Sequence, residues 1–319
     1  MITARGLART YKTRRGPVEA VRGVDLEVGD HEIVGFLGPN GAGKTTTLRM
    51  LTTLLKPTAG EATVAGCDLR RDPVGVRRRI GYVAQGGSTE ATATVGEELI
   101  DHGLLYGMSR ADAAASGRRL IDQLDLDGLW DRQTKTLSGG QRRRLDVAMG
   151  LVHGASLIFL DEPTTGLDPQ ARANLWEHVR RLRTDLGATV FLTTHYLEEA
   201  DALCDRILII DHGQIVASGT PEELKRQVSG DVVTLLVESE ALAVDAARVA
   251  KGLGEDDEPV IDGTAVRFRV RSGAAVLPRL LRELDAGHIG LSGVEVHRPT
   301  LDDVFLTLTG RTLRDEPAA

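Results

Sequence analysis

The sequence predicts an α/β domain on a largely parallel sheet, followed by a small α+β domain. Three observations predict it. Short apolar runs of strand length alternate with longer stretches of helical period over the first 220 residues. One of these runs, 31–37 (HEIVGFL), ends in a glycine-rich turn that opens a helix. After Gly219-Thr220-Pro221 the character changes to a tighter strand–helix order, so the chain divides into 1–220 and 221–319. With 319 residues, 41% hydrophobic and 27% charged, it has enough apolar surface for one large core or two ordinary ones.

Taken in order, 1–10 and 17–28 alternate loosely and suit an antiparallel β-subdomain. The run 31–37 is a buried strand, and a helix begins near Gly43. The stretch 94–126 reads as helical throughout. Strands at 156–160, 188–193 and 206–211 alternate with helices at 140–153, 169–186 and 195–204. The second of these helices is opened by Asp168-Pro169 and closed at Gly187. In the tail the order is helix (222–228), strand (231–238), helix (241–253), an acidic loop (255–258), strand (265–271), helix (275–286), strand (288–297) and helix (300–309), a ferredoxin-like sequence of elements.

Composition excludes several classes. The net charge is −7, so no broad positive field gathers a phosphate backbone, and nucleic acid is not an expected partner. The clusters Arg77-Arg78-Arg79 and Arg142-Arg143-Arg144 are short and read as solvated faces or as arginines with local acidic partners. Cys67 and Cys204 are the only cysteines, too few for a disulfide framework or a four-ligand zinc site, and a reducing cytosol fits them. No Cys-x-x-Cys pair or HExxH suggests a transition metal. The longest apolar runs, such as 157–160, fall far short of the roughly 18 to 20 residues a bilayer demands, and the start of the chain lacks the apolar segment of a signal peptide. Any membrane role therefore needs another chain.

Gly38-Pro39-Asn40-Gly41-Ala42-Gly43-Lys44-Thr45 matches G-x-x-x-x-G-K-[ST] between an apolar strand and a helix. The glycines let successive N–H groups turn toward phosphate oxygens, and the helix N-terminus adds partial positive charge. Lys44 would meet β and γ phosphates, Thr45 would ligate magnesium, and Thr46 beside it counts among the nucleotide contacts. A carboxylate should end a neighbouring strand, and Leu157-Ile158-Phe159-Leu160-Asp161-Glu162 supplies it. Asp161 can hold the metal through water, and Glu162 is placed to polarise an attacking water. Ser138-Gly139-Gly140-Gln141, ahead of the 140–153 helix, offers backbone and hydroxyl donors at a second helix start. A single nucleotide rarely needs both starts from one molecule, which suggests that the second serves a nucleotide held by a partner chain.

With Leu137-Ser138-Gly139-Gly140-Gln141 standing between the phosphate loop and the Asp-Glu strand, the sequence resembles the ATP-binding subunit of an ABC transporter over roughly residues 1–220. The resemblance implies the ABC type of P-loop NTPase fold, with a mixed sheet, an antiparallel β-subdomain and a helical subdomain. It implies ATP and magnesium, an ATPase, a second ATP-binding subunit in a head-to-tail dimer, an integral membrane permease, and a place on the cytoplasmic side of the membrane. Gln85 in Gly81-Tyr82-Val83-Ala84-Gln85 matches the glutamine that senses magnesium and the membrane partner. Asp168 in Thr165-Gly166-Leu167-Asp168 matches the aspartate that crosses the dimer interface, and His195 in Thr193-Thr194-His195 the switch histidine at the γ phosphate. Tyr11 is similar to the aromatic that stacks on adenine. The chain departs from the pattern at His31, where relatives have glycine, and in the small residues of Gly86-Gly87-Ser88-Thr89-Glu90.

Arg298-Pro299-Thr300-Leu301-Asp302-Asp303-Val304-Phe305-Leu306 and Thr194-His195-Tyr196-Leu197-Glu198-Glu199-Ala200-Asp201 resemble the daunorubicin-resistance type of these subunits, which implies export of drugs or natural products. A generic accessory fold is the plainer reading of the tail, since Leu301, Val304, Phe305 and Leu308 fall at helical spacing. The alternative function is a soluble ABC-type ATPase acting on ribosomes or DNA. One ATPase module and no long heptad run weigh against it. A GTPase or small-molecule kinase would leave the Ser-Gly-Gly-Gln segment unexplained.

Overall fold

The chain opens with β1 (Ile2–Thr13) and β2 (Gly16–Val28), an antiparallel pair. The computed structural model in which they are seen describes residues 1–14, 16–87, 89–227, 230–253 and 258–310. β3 (Ile33–Leu37) follows, buried at every residue, and α1 (Lys44–Leu51) leaves its far end. β4 (Ala59–Val64) returns onto β1 and β5 (Cys67–Asp68) onto β4, so a four-stranded antiparallel sheet runs β2-β1-β4-β5. Periodicity does not mark β4, because only Ala62 and Val64 of its six residues are buried.

α2 (Pro73–Arg79) is capped by Asp72 and delivers β6 (Ile80–Val83). The uninterrupted helix expected over 94–126 is corrected to two, α3 (Val95–Leu105) and α4 (Arg110–Gln123). Gly107 takes a left-handed φ of 83°, which ends the first helix, and the Ser109 hydroxyl starts the second by accepting from the Asp112 N–H. Both pack on α5 (Gly139–Leu151), whose Leu145, Val147, Ala148 and Met149 are buried almost all the way round the helix.

β7 (Leu157–Asp161), α6 (Pro169–Leu186), β8 (Thr189–Thr194), α7 (Leu197–Leu203), β9 (Arg206–Asp211) and β10 (Gln214–Gly219) complete this first unit, which runs from Met1 to Pro221. The central sheet runs β10-β9-β3-β8-β7-β6, parallel except at β10. β3, β7 and β8 are buried on both faces, so 33–37, 157–160 and 190–192 read as consecutive apolar residues rather than alternations. Phe191 ties them together, its ring centroid 5.6 Å from Phe36 and 5.6 Å from Phe159. In register, Leu37 lies beside Thr194 and Thr193 beside Asp161. The turns after three strands therefore emerge along one edge of the sheet, where α/β proteins hold their ligands.

α8 (Pro221–Arg226) leads into the second unit, which begins at Glu222 and contains β11 (Asp231–Val237), α9 (Glu240–Lys251), β12 (Val260–Asp262), β13 (Ala265–Val270), α10 (Gly273–Ala286), β14 (Leu291–His297) and α11 (Leu301–Thr309). Its antiparallel order, β12-β13-β11-β14, with helices after the first and third strands, is the ferredoxin-like arrangement. Ala243, Ala246, Ala250, Leu280 and Leu284 of the helices pack on Val233, Leu235, Val266 and Phe268. The sequence reading missed β12, whose three residues are all exposed. Most of the acidic loop predicted at 255–258, the end of the helix predicted at 222–228, Ser88 and everything after residue 310 lie outside the described residues. Among the described residues no helix is long and apolar enough to cross a membrane.

Candidate active site

The turn after β3 is shaped by its glycines. A Cβ on Gly38 would stand 2.3 Å from the Ile210 carbonyl, and one on Gly43, at φ 107°, would stand 2.6 Å from the Ala20 carbonyl. Only glycine fits either place. Pro39 and Ala42 are buried beneath the turn while Asn40 and Gly41 are exposed at its tip. Lys44, 5% exposed, donates from Nζ to the carbonyls of Gly38 (2.7 Å) and Pro39 (3.1 Å), which folds its side chain back over the loop.

Thr45 donates from Oγ1 to Asp161 Oδ1 at 3.2 Å, and Thr193 donates to the same oxygen at 2.7 Å. A hydroxyl and a carboxylate, both hard oxygen donors, thus meet beside the phosphate loop. Thr46, next along α1, is half-buried.

Glu162 is the point on which the site converges. Its Oε1 lies 3.6 Å from Lys44 Nζ, while its Oε2 accepts from Gln85 Nε2 (2.8 Å) and Thr165 Oγ1 (3.2 Å) and stands 3.3 Å from His195 Nδ1. Side chains from the phosphate loop, the turn after β6, the turn before α6 and the end of β8 share one carboxyl group. Its backbone is left-handed, φ 45°, and is pinned by the N–H donating to Thr193 Oγ1 at 3.0 Å. Burial would raise the Glu162 pKa, but the His195 ring, the Lys44 charge and Thr165 outweigh it and hold the carboxyl below its ordinary value.

The remaining predicted residues stand elsewhere. Ser138 caps α5, its Oγ accepting from the Gln141 N–H (3.2 Å) while Gln141 Oε1 accepts from the Ser138 N–H (3.0 Å). Gly139 and Gly140 face Leu167 and Ala171, and a Cβ on Gly140 would come 3.2 Å from the Ala171 methyl. Asp168 is exposed and caps α6, accepting from the Ala171 N–H at 2.8 Å. The structure therefore brings Lys44, Gln85, Glu162 and His195 together and places the Ser138 cap as a second group. Tyr11, half-buried in β1 and paired with Val18, carries the Arg9 guanidinium 4.8 Å above its ring.

Four residues that sequence reasoning passed over belong here. Thr193 links Asp161 to the Glu162 backbone, Thr165 holds the Glu162 carboxylate, and Arg143 and Asp146 are buried just behind them. For Arg143 this corrects the reading of the 142–144 cluster as a solvated face: it has the acidic partner but is 7% exposed. The signal was present, since Arg143 and Asp146 are spaced i,i+3 in a helix otherwise apolar from 145 to 149. Arg142 and Arg77–Arg79 are exposed as expected.

Comparison with known proteins gives concordant matches. Residues 21–165 match the ABC transporter family, and residues 219–309 match the family described as ATP-binding protein DrrA1-3-like, C-terminal domain. The chain is 43% identical to the daunorubicin/doxorubicin resistance ATP-binding protein DrrA of Streptomyces peucetius, over 98% of this chain and 94% of that one. It is 35% identical to the linearmycin resistance ATP-binding protein LnrL of Bacillus subtilis, over 99% of this chain and 100% of that one. Among solved structures it is similar to a dimeric post-hydrolysis state of the ATP-binding cassette MJ0796 bound to ADP and Pi, with a TM-score of 0.63 and 25% identity over 69% of this chain and 98% of that one.

Proposed function

The chain belongs to the family of ABC transporter ATP-binding subunits and is the ATP-hydrolysing subunit of an exporter, and on that premise we propose that it works as a head-to-tail homodimer on the cytoplasmic face of a membrane permease. In this reading each ATP is clamped between the Lys44 loop of one copy and the Ser138–Gly140 helix start of the other. Asp168, beside that helix start, reaches across the same interface, and Tyr11 stacks on the adenine. Drugs or natural products are the proposed cargo, in keeping with the resistance named for its relatives.

Thr45, Asp161 and Gln85 would hold magnesium: the hydroxyl and the carboxylate already lie 3.2 Å apart, and Gln85, whose amide nitrogen donates to the adjacent Glu162, would turn its carbonyl oxygen to the ion. The ion would neutralise charge on the phosphates. Lys44, drawn toward β and γ phosphate oxygens, would release Glu162 Oε1. Glu162, ionised at neutral pH as an ordinary carboxylate is, then takes a proton from the attacking water, and His195, 3.3 Å from Oε2, keeps that carboxylate aimed.

The permease would meet a groove of about 580 Å³ where Leu105, 82% exposed, and Val74, 48% exposed, stand among Arg77, Arg78 and Tyr106.

The observation that carries the reading is the convergence of Lys44, Gln85, Thr165 and His195 on the one carboxylate of Glu162. Replacing Glu162 with Gln should preserve ATP binding and yield a dimer that persists while ATP is present. Hydrolysis at the parental rate by that variant would overturn the assignment of the base.

A further inference from the structure

Arg143 lies in α5, on the helix that begins with Ser138-Gly139-Gly140, and its guanidinium is spent almost wholly on main-chain carbonyls. Nε donates to Pro163 O at 2.7 Å, Nη1 to Ala84 O at 2.6 Å and Nη2 to Asp161 O at 3.1 Å. Asp146, one turn along and 5% exposed, stands 3.7 Å from Nη1 as its counter-ion.

These partners are not scattered. Asp161 and Pro163 flank Glu162, and Ala84 immediately precedes Gln85. On the far side of Gln85, Gly87 lies against Asp146, so that a Cβ there would come 3.2 Å from Asp146 Oδ2. One buried ion pair therefore touches the chain on both sides of Gln85, and its arginine does so on both sides of Glu162. Apolar side chains of similar volume would fill the space at less desolvation cost. What they would lack is direction: a planar guanidinium donates along fixed lines and sets three carbonyls in relation to one another.

We infer that Arg143 and Asp146 are positioning residues that transmit the placement of the Ser138–Gly140 helix start to Glu162 and Gln85, so that phosphate capture at that helix and the aim of the hydrolytic carboxylate change together. The inference rests on Glu162 being the base. Lysine cannot replace the arginine fully, because an ammonium offers its donors from a single point and cannot span all three carbonyls.

The test compares Arg143→Gln, Arg143→Lys and Asp146→Asn with the parent in full-length protein, reading ATP affinity, KM and kcat separately, with thermal unfolding as the check on folding. Arg143→Gln should leave ATP affinity and KM within about twofold and lower kcat about thirtyfold, and Arg143→Lys should recover only part of that loss. Combined with Glu162→Gln, Arg143→Gln should add less than about twofold, because its effect passes through the same carboxylate. Parental kcat in Arg143→Gln, or losses that multiply in the double variant, would overturn the inference. If Arg143→Gln fails to fold, Asp146→Asn decides, since it keeps the side chain's volume: a severalfold loss of kcat at unchanged KM supports the linkage and parental kcat refutes it. Parental turnover in Glu162→Gln alone would overturn the base assignment and the inference with it, whereas parental kcat in Arg143→Gln beside an inactive Glu162→Gln would overturn the inference alone.

Discussion

Thr193→Val removes one oxygen from a fully buried position at the end of β8 and leaves the shape of the side chain almost unchanged. That oxygen donates to Asp161 Oδ1 at 2.7 Å and accepts from the Glu162 N–H at 3.0 Å. Neither partner is orphaned by the change, because Asp161 keeps Thr45 at 3.2 Å and the Glu162 N–H keeps the Thr193 carbonyl at 3.2 Å. The larger loss is a hydrogen bond to a buried carboxylate, about 1.5–3 kcal/mol, and the smaller a neutral one, about 0.5–1 kcal/mol. Together they predict a fall in unfolding temperature of about 5–10 °C for a unit of this size. Catalysis should suffer separately. Glu162 holds a left-handed φ of 45° that needs restraint, and slackening it by about 1.4–2.7 kcal/mol in the transition state lowers kcat about ten- to a hundredfold. Phosphate release at saturating ATP, alongside thermal unfolding, measures both. Thr193→Ser retains the hydroxyl and should stay near the parent. The reasoning fails if the valine variant turns over at the parental rate, or if the serine variant is as impaired as the valine one.

Burial pushes the His153 imidazole down to about 4, and its ring stacks on Tyr106 at 3.7 Å with Nε2 3.0 Å from the Ile80 carbonyl. The unfolded chain then takes up this proton first, so the stability conferred by the neutral ring is complete above about pH 6.5 and is lost as pH falls toward 4. His153→Gln, which keeps a donor, should flatten the unfolding midpoint across that window, and an unchanged slope would count against the account. Asp168→Ala removes the cap of α6 and should cost about 1 kcal/mol, whereas Asp168→Ser keeps the cap. If the carboxylate also reaches a second copy, both variants weaken the ATP-dependent dimer in a crosslinking assay; a parental dimer in the serine variant would confine Asp168 to capping.

The parallel strands were legible because burial on both faces leaves no alternation, as in Leu157–Leu160 and Ile207–Ile210. The phosphate loop was legible because Gly38 and Gly43 occupy places no side chain can enter. What escaped was decided by a single conformation or by distant partners. The break at Gly107 hid inside a helical pattern, since one left-handed glycine does not disturb the flanking periodicity. β4 and β12 exist through pairing with β1 and β13 rather than through their own burial. Arg143 looked like surface charge because its carbonyl partners at 84, 161 and 163 carry no signal in composition, and its spacing to Asp146 within an apolar stretch is the one trace of its burial in the sequence. The motifs identified Gln85, Glu162 and His195 one by one, but their meeting at one carboxylate comes from the register of β6, β7 and β8.

The cap at the start of α5 occupies a lone pair of the Ser138 hydroxyl and leaves its proton uncommitted by that bond. A residue that braces its own helix thereby has its rotamer settled, and in the proposed dimer its hydroxyl proton would turn to an incoming phosphate. Aspartate would cap equally well yet offer only negative oxygen there, so a chain carrying it would keep its shape and, in the proposed dimer, repel the partner's phosphate.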